Sequence, residues 1–422
     1  MLSWTEGLTR RQWAVLAIAW LGWVFDIMDT ALFNFAKGPM LTELLGGPAA
    51  YKAHGPLVEG WIQGLFLLGW SIGGLVFGVL ADTWGRTRVL VLTVLLYCAF
   101  TGFTALCRTP EQVAIVRFLT ALGIGGEWAA GAALVAETFP DRARAGAAGL
   151  LQSAAAVGPI LAALANLALK GMDWRLLFLV GIAPALVCVF IRFRAHEPVR
   201  PPKPERTPLV EVLTVPQWRK RALAAVVIGA VGIAGAGTAT YWQPNLVQAA
   251  SVGLAKADVD ARKSAVAMIS HIGTLLGVLL VPWLCTRFGR RRTIAAFYLL
   301  APASVALAIG GGADYARLLW LLPLVNFFAI GVSAAFVLYF PELFPPRIRA
   351  TGAGLAYNVG RVLSIPVPIL IGQVIAARGG NVATGVLLSG SIYLLGLLAL
   401  PFAPETQGEK LLTDAPQVEP AL

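Results

Sequence analysis

The chain has 422 residues, of which 58% are hydrophobic and only 13% charged, and 33 Lys and Arg against 22 Asp and Glu give a formal net charge of +11. Soluble globular proteins carry about 25% charged residues, so the composition argues against a water-soluble enzyme, and the apolar content argues against disorder. The apolar residues lie in long unbroken runs rather than the short alternating segments of a membrane β-barrel, which leaves an all-α polytopic membrane protein.

Residues 1–13 are polar, and the first apolar run is long enough to span, so no cleavable signal peptide is expected. A span needs about 20 mostly apolar residues. Twelve runs meet that length: 12–36, 57–80, 88–107, 111–137, 145–169, 174–193, 221–249, 264–285, 292–311, 315–341, 350–377 and 382–403. The stretch 194–220 is rich in Pro, Arg and Lys and reads as a polar cytoplasmic linker. The expected division is a six-helix bundle over 1–193, the linker, a second six-helix bundle over 221–404, and a cytoplasmic tail over 405–422. With both termini in the cytoplasm, the loops and termini on that side hold about twice as many Lys and Arg as those opposite, the bias expected of cytoplasmic loops. The basic charge therefore calls for a lipid bilayer and not for nucleic acid. The four cysteines show no metal or disulfide spacing, and the absence of an Asn-x-Ser/Thr sequon fits a bacterial inner membrane.

The two halves resemble each other. Glu137-Thr-Phe-Pro-Asp-Arg-Ala-Arg-Ala145 matches Glu342-Leu-Phe-Pro-Pro-Arg-Ile-Arg-Ala350, and Gly85-Arg86 matches Gly289-Arg290 at almost the same separation. Both motifs follow corresponding spans on the cytoplasmic side. This is a parallel repeat whose pseudo-two-fold axis runs along the membrane normal.

These motifs carry a resemblance. Gly78-Val-Leu-Ala-Asp82-Thr-Trp-Gly85-Arg86-Thr-Arg88 resembles the loop signature of the major facilitator superfamily between its second and third spans. The second copy departs from it, with Thr286 where the Asp belongs. Ala19-Trp-Leu-Gly-Trp-Val-Phe-Asp26-Ile-Met-Asp29, the fourth-span run from Arg117 to Glu127-Trp128, and Tyr357-Asn358-Val-Gly360 look most like the proton-coupled symporters of organic acids such as sialate and lactate, and the wider metabolite–proton symporters. The resemblance implies a monomeric carrier working by alternating access. It also implies an inner gate of ion pairs at the cytoplasmic span ends, drawn from Asp82, Arg86, Arg88, Glu137, Arg142, Glu342 and Arg347.

By the span map, Asp26, Asp29, Arg117, Glu127 and Arg361 are the charged residues well inside spans, with His271 as a titratable neighbour. A charge at the bilayer centre costs about 3 kcal/mol or more, so such residues pair, face a cavity or relay protons. At about 1.5 Å per residue across a core of about 30 Å, Asp29 and Arg117 fall at similar depth near the outer face. In the sugar-porter branch a first-span Asp pairs with the fourth-span Arg and takes the proton, and the resemblance maps those roles to Asp29 and Arg117. Asp26, one turn away, is an alternative acceptor, and Glu127, among Gly123, Gly125 and Gly126, is a second candidate. A structural ion pair joining the two spans is the plain alternative. Arg361 falls near the midplane, where carriers hold substrate, and a guanidinium there suits a carboxylate ligand. Asn358, Asn326, Tyr241, Gln243, Asn245 and His271 are further candidates for substrate contact; each is equally suited to joining helices.

The expected function is proton-coupled symport of a small organic anion, a monocarboxylate or sialate-like acid. Rivals are a neutral-sugar porter, an exporter of drugs or metabolites, and a non-transporting nutrient sensor. No nucleotide loop, metal cluster or catalytic set stands out, so neither an enzyme nor a cofactor is expected.

Overall fold

The computed structural model describes residues 5–84, 86–182, 208–312, 314–408 and 412. Helix α1 (Arg10–Leu44) opens with a capping box: the Gln12 amide donates to Thr9 Oγ1 and the Gln12 side chain accepts from the Thr9 amide at 2.8 Å. It ends at Gly46 and Gly47, whose φ values of 89° and 125° turn the chain back through a region that side chains disfavour. Helix α2 (Pro48–Trp84) follows. These helices have 35 and 37 residues, far more than the roughly 20 needed for a bilayer core. They overrun the predicted spans 12–36 and 57–80, and the overrun carries Lys37 and Tyr51, described below.

The N-terminal half continues with α3 (Arg86–Thr104), α4 (Pro110–Thr138), α5 (Asp141–Gln152), α6 (Ala154–Ala168) and α7 (Arg175–Val180), which begins the sixth predicted span. Of the predicted linker, 194–207 lies outside the described residues; α8 (Pro208–Thr214) and the start of α9 (Pro216–Tyr241) occupy the rest. The C-terminal half adds α10 (Gln243–Ala249), α11 (Lys256–Phe288), α12 (Arg290–Ile309), α13 (Tyr315–Ala329), α14 (Ser333–Glu342), α15 (Pro346–Ser364), α16 (Pro366–Ala377), α17 (Val382–Ser391) and α18 (Tyr393–Ala399). Among the described residues there is no strand, and nine segments are long and apolar enough to cross a membrane, with Val91–Thr104 as a shorter apolar helix.

Within the first half, α1 packs on α6, and α4 packs on α2 and α3. The α2–α4 approach is backbone to backbone, because a Cβ on Gly73 would run into the Leu122 carbonyl. Small residues serve this purpose where packing, not water exclusion, holds helices together. Within the second half, α9 packs on α15 and α11 on α13. The halves meet along α2 with α16 and along α6 with α11, a crosswise pairing that the internal repeat requires of a two-fold.

Among the described residues five spans are broken along their length, at Ser153, Trp242, Ile330–Val332, Ile365 and Ile392. Pro244 and Pro366 open the second pieces of two of them, where a missing N–H does least harm. Non-helical backbone at membrane depth is tolerated where it lines a cavity. Gln152, Gln243, Ile330, Ser333 and Ser364, all at or beside these breaks, do line one.

Candidate functional site

Between the halves lies a cavity of about 250 Å³. Its wall is mostly apolar and aromatic, with Trp23, Phe35, Trp70, Phe336 and Tyr357. Arg361, on α15, lines it at 5% exposure. Its guanidinium carbon stands 4.2 Å over the Trp70 ring and 5.0 Å from that of Tyr357, and Nη1 lies 3.5 Å from Asn358 Oδ1, a weak hydrogen bond. Among the described residues no carboxylate pairs with Arg361. Trp70 comes from the first half and Arg361 from the second, so the ring stack bridges them.

Arg117 and Asp29 form a different arrangement. Arg117 Nη1 lies 2.8 Å from Asp29 Oδ2, both side chains at 2% exposure or less, and the Thr101 hydroxyl donates to the other carboxylate oxygen. The guanidinium sits between the Phe33 and Phe66 rings, 4.5 Å from each. This knot ties α1, α3 and α4 together and does not line the cavity. Asp26 is also buried and off the cavity wall. Glu127 lies on α4 with its side chain outside the described residues.

The polar candidates separate into groups. His271 lines the cavity, its Nδ1 3.2 Å from Thr274 Oγ1. Gln243 also lines it and donates from Nε2 to Asn326 Oδ1 at 2.6 Å; Asn326 itself is fully buried behind the wall. Tyr241 lines the cavity and donates its hydroxyl to the Glu59 carbonyl at 2.9 Å. Asn245 stands away from the wall, donating to Tyr51 Oη at 3.1 Å and to the Glu59 carboxylate at 3.2 Å.

Asn245 and Tyr241 thereby belong to a cluster that the span map did not anticipate. Lys37 Nζ is 3.0 Å from Glu59 Oε2, with side-chain exposures of 1% and 0%. The ammonium also donates to the Tyr241 carbonyl at 2.7 Å and lies 3.1 Å from that ring's centroid, and the Tyr51 hydroxyl donates to Glu59. Lys37, Tyr51 and Glu59 come from α1 and α2, Tyr241 and Asn245 from the second half. The cluster joins the two halves beside the cavity, whose wall Tyr241 shares, toward the end of α1 away from Arg10. At the same end Asn166 donates to Ser264 Oγ at 2.9 Å, and a Cβ on Gly60 would stand 2.5 Å from the Pro368 carbonyl. Burial of charge thus extends beyond the five charged residues placed inside the spans: Lys37, Glu59, Asp260, Lys263 and Arg290, at or beyond span edges, are buried too. The signal was available in Gly46-Gly47, since the glycine pair, not the lysine, stops α1.

A family model described as Major Facilitator Superfamily matches residues 19–368. The chain belongs to the major facilitator superfamily. Its membrane-spanning two-bundle fold is that of a superfamily transporter, not an enzyme. It is 31% identical over 431 residues to the "Probable 4-methylmuconolactone transporter" of Cupriavidus pinatubonensis, covering 97% of this chain and 94% of that one. It is 29% identical over 367 residues to the "Cis,cis-muconate transport protein" of Acinetobacter baylyi, covering 83% and 86%. Among solved structures, a D-xylose-proton symporter superposes with a TM-score of 0.73 at 18% identity, over 94% of this chain and 99% of that one, a likeness of fold alone.

Of the superfamily's gate positions named from the sequence, Glu342 is described in full. It pairs with Arg290 through two bonds of 2.7 and 3.0 Å, and the Thr406 hydroxyl donates to it at 2.5 Å. Arg290 stands in the Gly289-Arg290 motif, so this pair joins α12 and α14 inside the second half and does not bridge the halves. Arg88 is exposed on α3. The side chains of Asp82, Arg86, Glu137, Arg142 and Arg347 lie outside the described residues.

Proposed function

We propose that this transporter moves a small organic anion together with a proton across a bacterial inner membrane by alternating access. The observation that carries the reading is Arg361: a buried guanidinium on the cavity wall, held between aromatic rings, with no carboxylate partner among the described residues. A buried cation without a counter-ion is costly, and a substrate carboxylate can satisfy it through paired charge-assisted bonds. The apolar, aromatic wall suits a compact acid with a flat or ring-shaped body. Relatives named for muconolactone, muconate, niacin and sialic acid transport support this class.

Both termini are assigned to the cytoplasm by the distribution of Lys and Arg. The Lys37–Glu59 cluster then faces the periplasm, and the described conformation is closed on that side. Lys37 and Glu59 belong to one half, so opening separates them from Tyr241 and Asn245 and not from each other. The proton is assigned to Asp29, with Asp26 and Glu127 as further acceptors. Pairing with Arg117 favours the ionised carboxyl, and parting from it in a dry environment favours the protonated one. Because Asp29 sits off the cavity wall, coupling runs through α1, which carries both Asp29 and the wall residue Thr30. The resemblance-based monomer is retained.

Thermal-shift and proteoliposome experiments test this with benzoate, lactate and sialate, and with xylose as the neutral control. Acids are expected to stabilise the wild type and lose that effect in Arg361→Ala, and uptake is expected to rise as the outside is acidified. Stabilisation by xylose alone would replace the anion reading with a sugar porter. Full acid-stimulated uptake in an Asp26→Asn, Asp29→Asn double variant would remove both aspartates from proton coupling.

A further inference from the structure

The cavity wall holds a second cation. Lys263, on α11, lines the cavity at 4% exposure. Among the described residues its ammonium has no carboxylate within ion-pair distance, and its one hydrogen bond runs to Gln248 Oε1 at 2.9 Å. An ammonium has three donors, so this leaves it undersatisfied. The nearby acids, Asp260 and Glu59, act on it only through space and make no direct contact. Asp260, one turn earlier on α11, accepts the Gly171 amide at 3.1 Å, and Glu59 is held by Lys37, Tyr51 and Asn245. Lys263, Ala267 and His271 recur at helical spacing and all face the same space. Among the described lining residues there are thus two cations, Arg361 and Lys263, on different helices, and no Asp or Glu. Among the described residues, the fully buried cations Lys37 and Arg117 already have carboxylates at 3.0 and 2.8 Å.

The geometry points to a substrate with two acidic groups, one carboxylate on Arg361 and a second on Lys263. This rests on the anion reading above and extends it. A monoacid contacts one of the two cations and leaves the other with no carboxylate in direct contact; a diacid of suitable length contacts both. Lys263 stands beneath the Lys37–Glu59 closure, so the second carboxylate lies toward the periplasmic end and the first near the midplane. His271, two turns on from Lys263 along α11, also lines the cavity and offers its ring to the body of the substrate.

Binding to purified full-length protein by calorimetry tests the inference with α,ω-dicarboxylates of four to eight carbons and terephthalate, each against the monoacid of the same skeleton. For at least one skeleton the diacid is expected to bind wild type about tenfold more tightly than its monoacid, the order of one charge-assisted contact. Lys263→Gln is expected to erase that preference while leaving monoacid affinity within about threefold. Lys263→Arg keeps the charge and is expected to keep the preference, and Arg361→Gln is expected to weaken both ligands. A wild type that favours the monoacid at every length, or a Lys263→Gln protein with an unchanged diacid-to-monoacid ratio, overturns the role of Lys263 and leaves the anion reading standing. If no acid of either kind binds, the anion reading falls as well. The wild-type ratio needs no variant, so a poorly folding mutant does not shield the inference.

Discussion

Two buried arginines, each set among aromatic rings, divide the molecule's electrostatics. Arg117 lies between Phe33 and Phe66 and is matched by Asp29 at 2.8 Å. Arg361 lies against Trp70 and Tyr357, lines the cavity, and has no such match among the described residues. Aromatic stacking alone does not tell them apart; the counter-ion does. A matched pair is internally neutral and holds helices in register. An unmatched cation stores an unfavourable energy that an arriving anion relieves. Burial of charge is therefore no guide to role until its partner is known.

The contrast is sharpest under mutation. Arg117→Met strands Asp29 in a dry site, and breaking such a pair from one side costs about 3–5 kcal/mol; loss of monodisperse protein and a lower melting temperature in detergent are expected. Asp29→Asn with Arg117→Gln removes both charges and should recover most of that stability. A single variant as stable as wild type would show that the pair holds nothing together. For Arg361→Gln the order reverses: acid binding is expected to fall about 100-fold, the lower end of what losing one buried charged partner costs, with the melting temperature unchanged or higher. A destabilised Arg361→Gln would mean that it, too, has a structural counter-ion.

How far the sequence carried the argument depends on the range of the interaction. Apolar runs and repeated Gly-Arg motifs are local or periodic, so spans, halves and the placement of Arg361 near the cavity were readable. The partnership of Asp29 with Arg117 was also readable, since depth counting brings the two to one level and the family resemblance pairs them. Lys37, Glu59 and Lys263 were not. A hydropathy boundary falls at each of them, and Lys37 and Glu59 are covered by residues more than 180 positions away, as between Glu59 and Asn245. Asn245 stayed open between substrate contact and helix joining for the same reason: its helix was known and its neighbours were not. The breaks at Ser153 and Ile365 likewise follow from what the spans surround.

A smaller test concerns the closure itself. Glu59→Gln weakens the hold on Lys37 and Asn245, and the open population is expected to rise by about tenfold, the effect of one charge-assisted bond. Labelling of a cysteine placed at Asn34, on the cavity wall, by a membrane-impermeant thiol reagent added from the periplasmic side reads this out. Unchanged labelling would assign the closure to helix packing alone. Gly60→Ala is expected to shift the same readout by about threefold, since its methyl must be accommodated against the Pro368 carbonyl.

That seam of α2 against α16 bears on energetics as well as fit. At Gly60 and Gly372 main chain meets main chain, and the one side chain that reaches across beside them, Ile369, lies against Gly64, which offers no side chain to interlock with it. Two such surfaces separate without rotamer rearrangement and uncover little that must be rehydrated, so the two ends of the cycle can lie close in free energy. A ligand shifts an equilibrium only by the difference in its affinity for the two states. A smooth bearing of this kind lowers the torque required, and one small acid is then enough to turn the machine over.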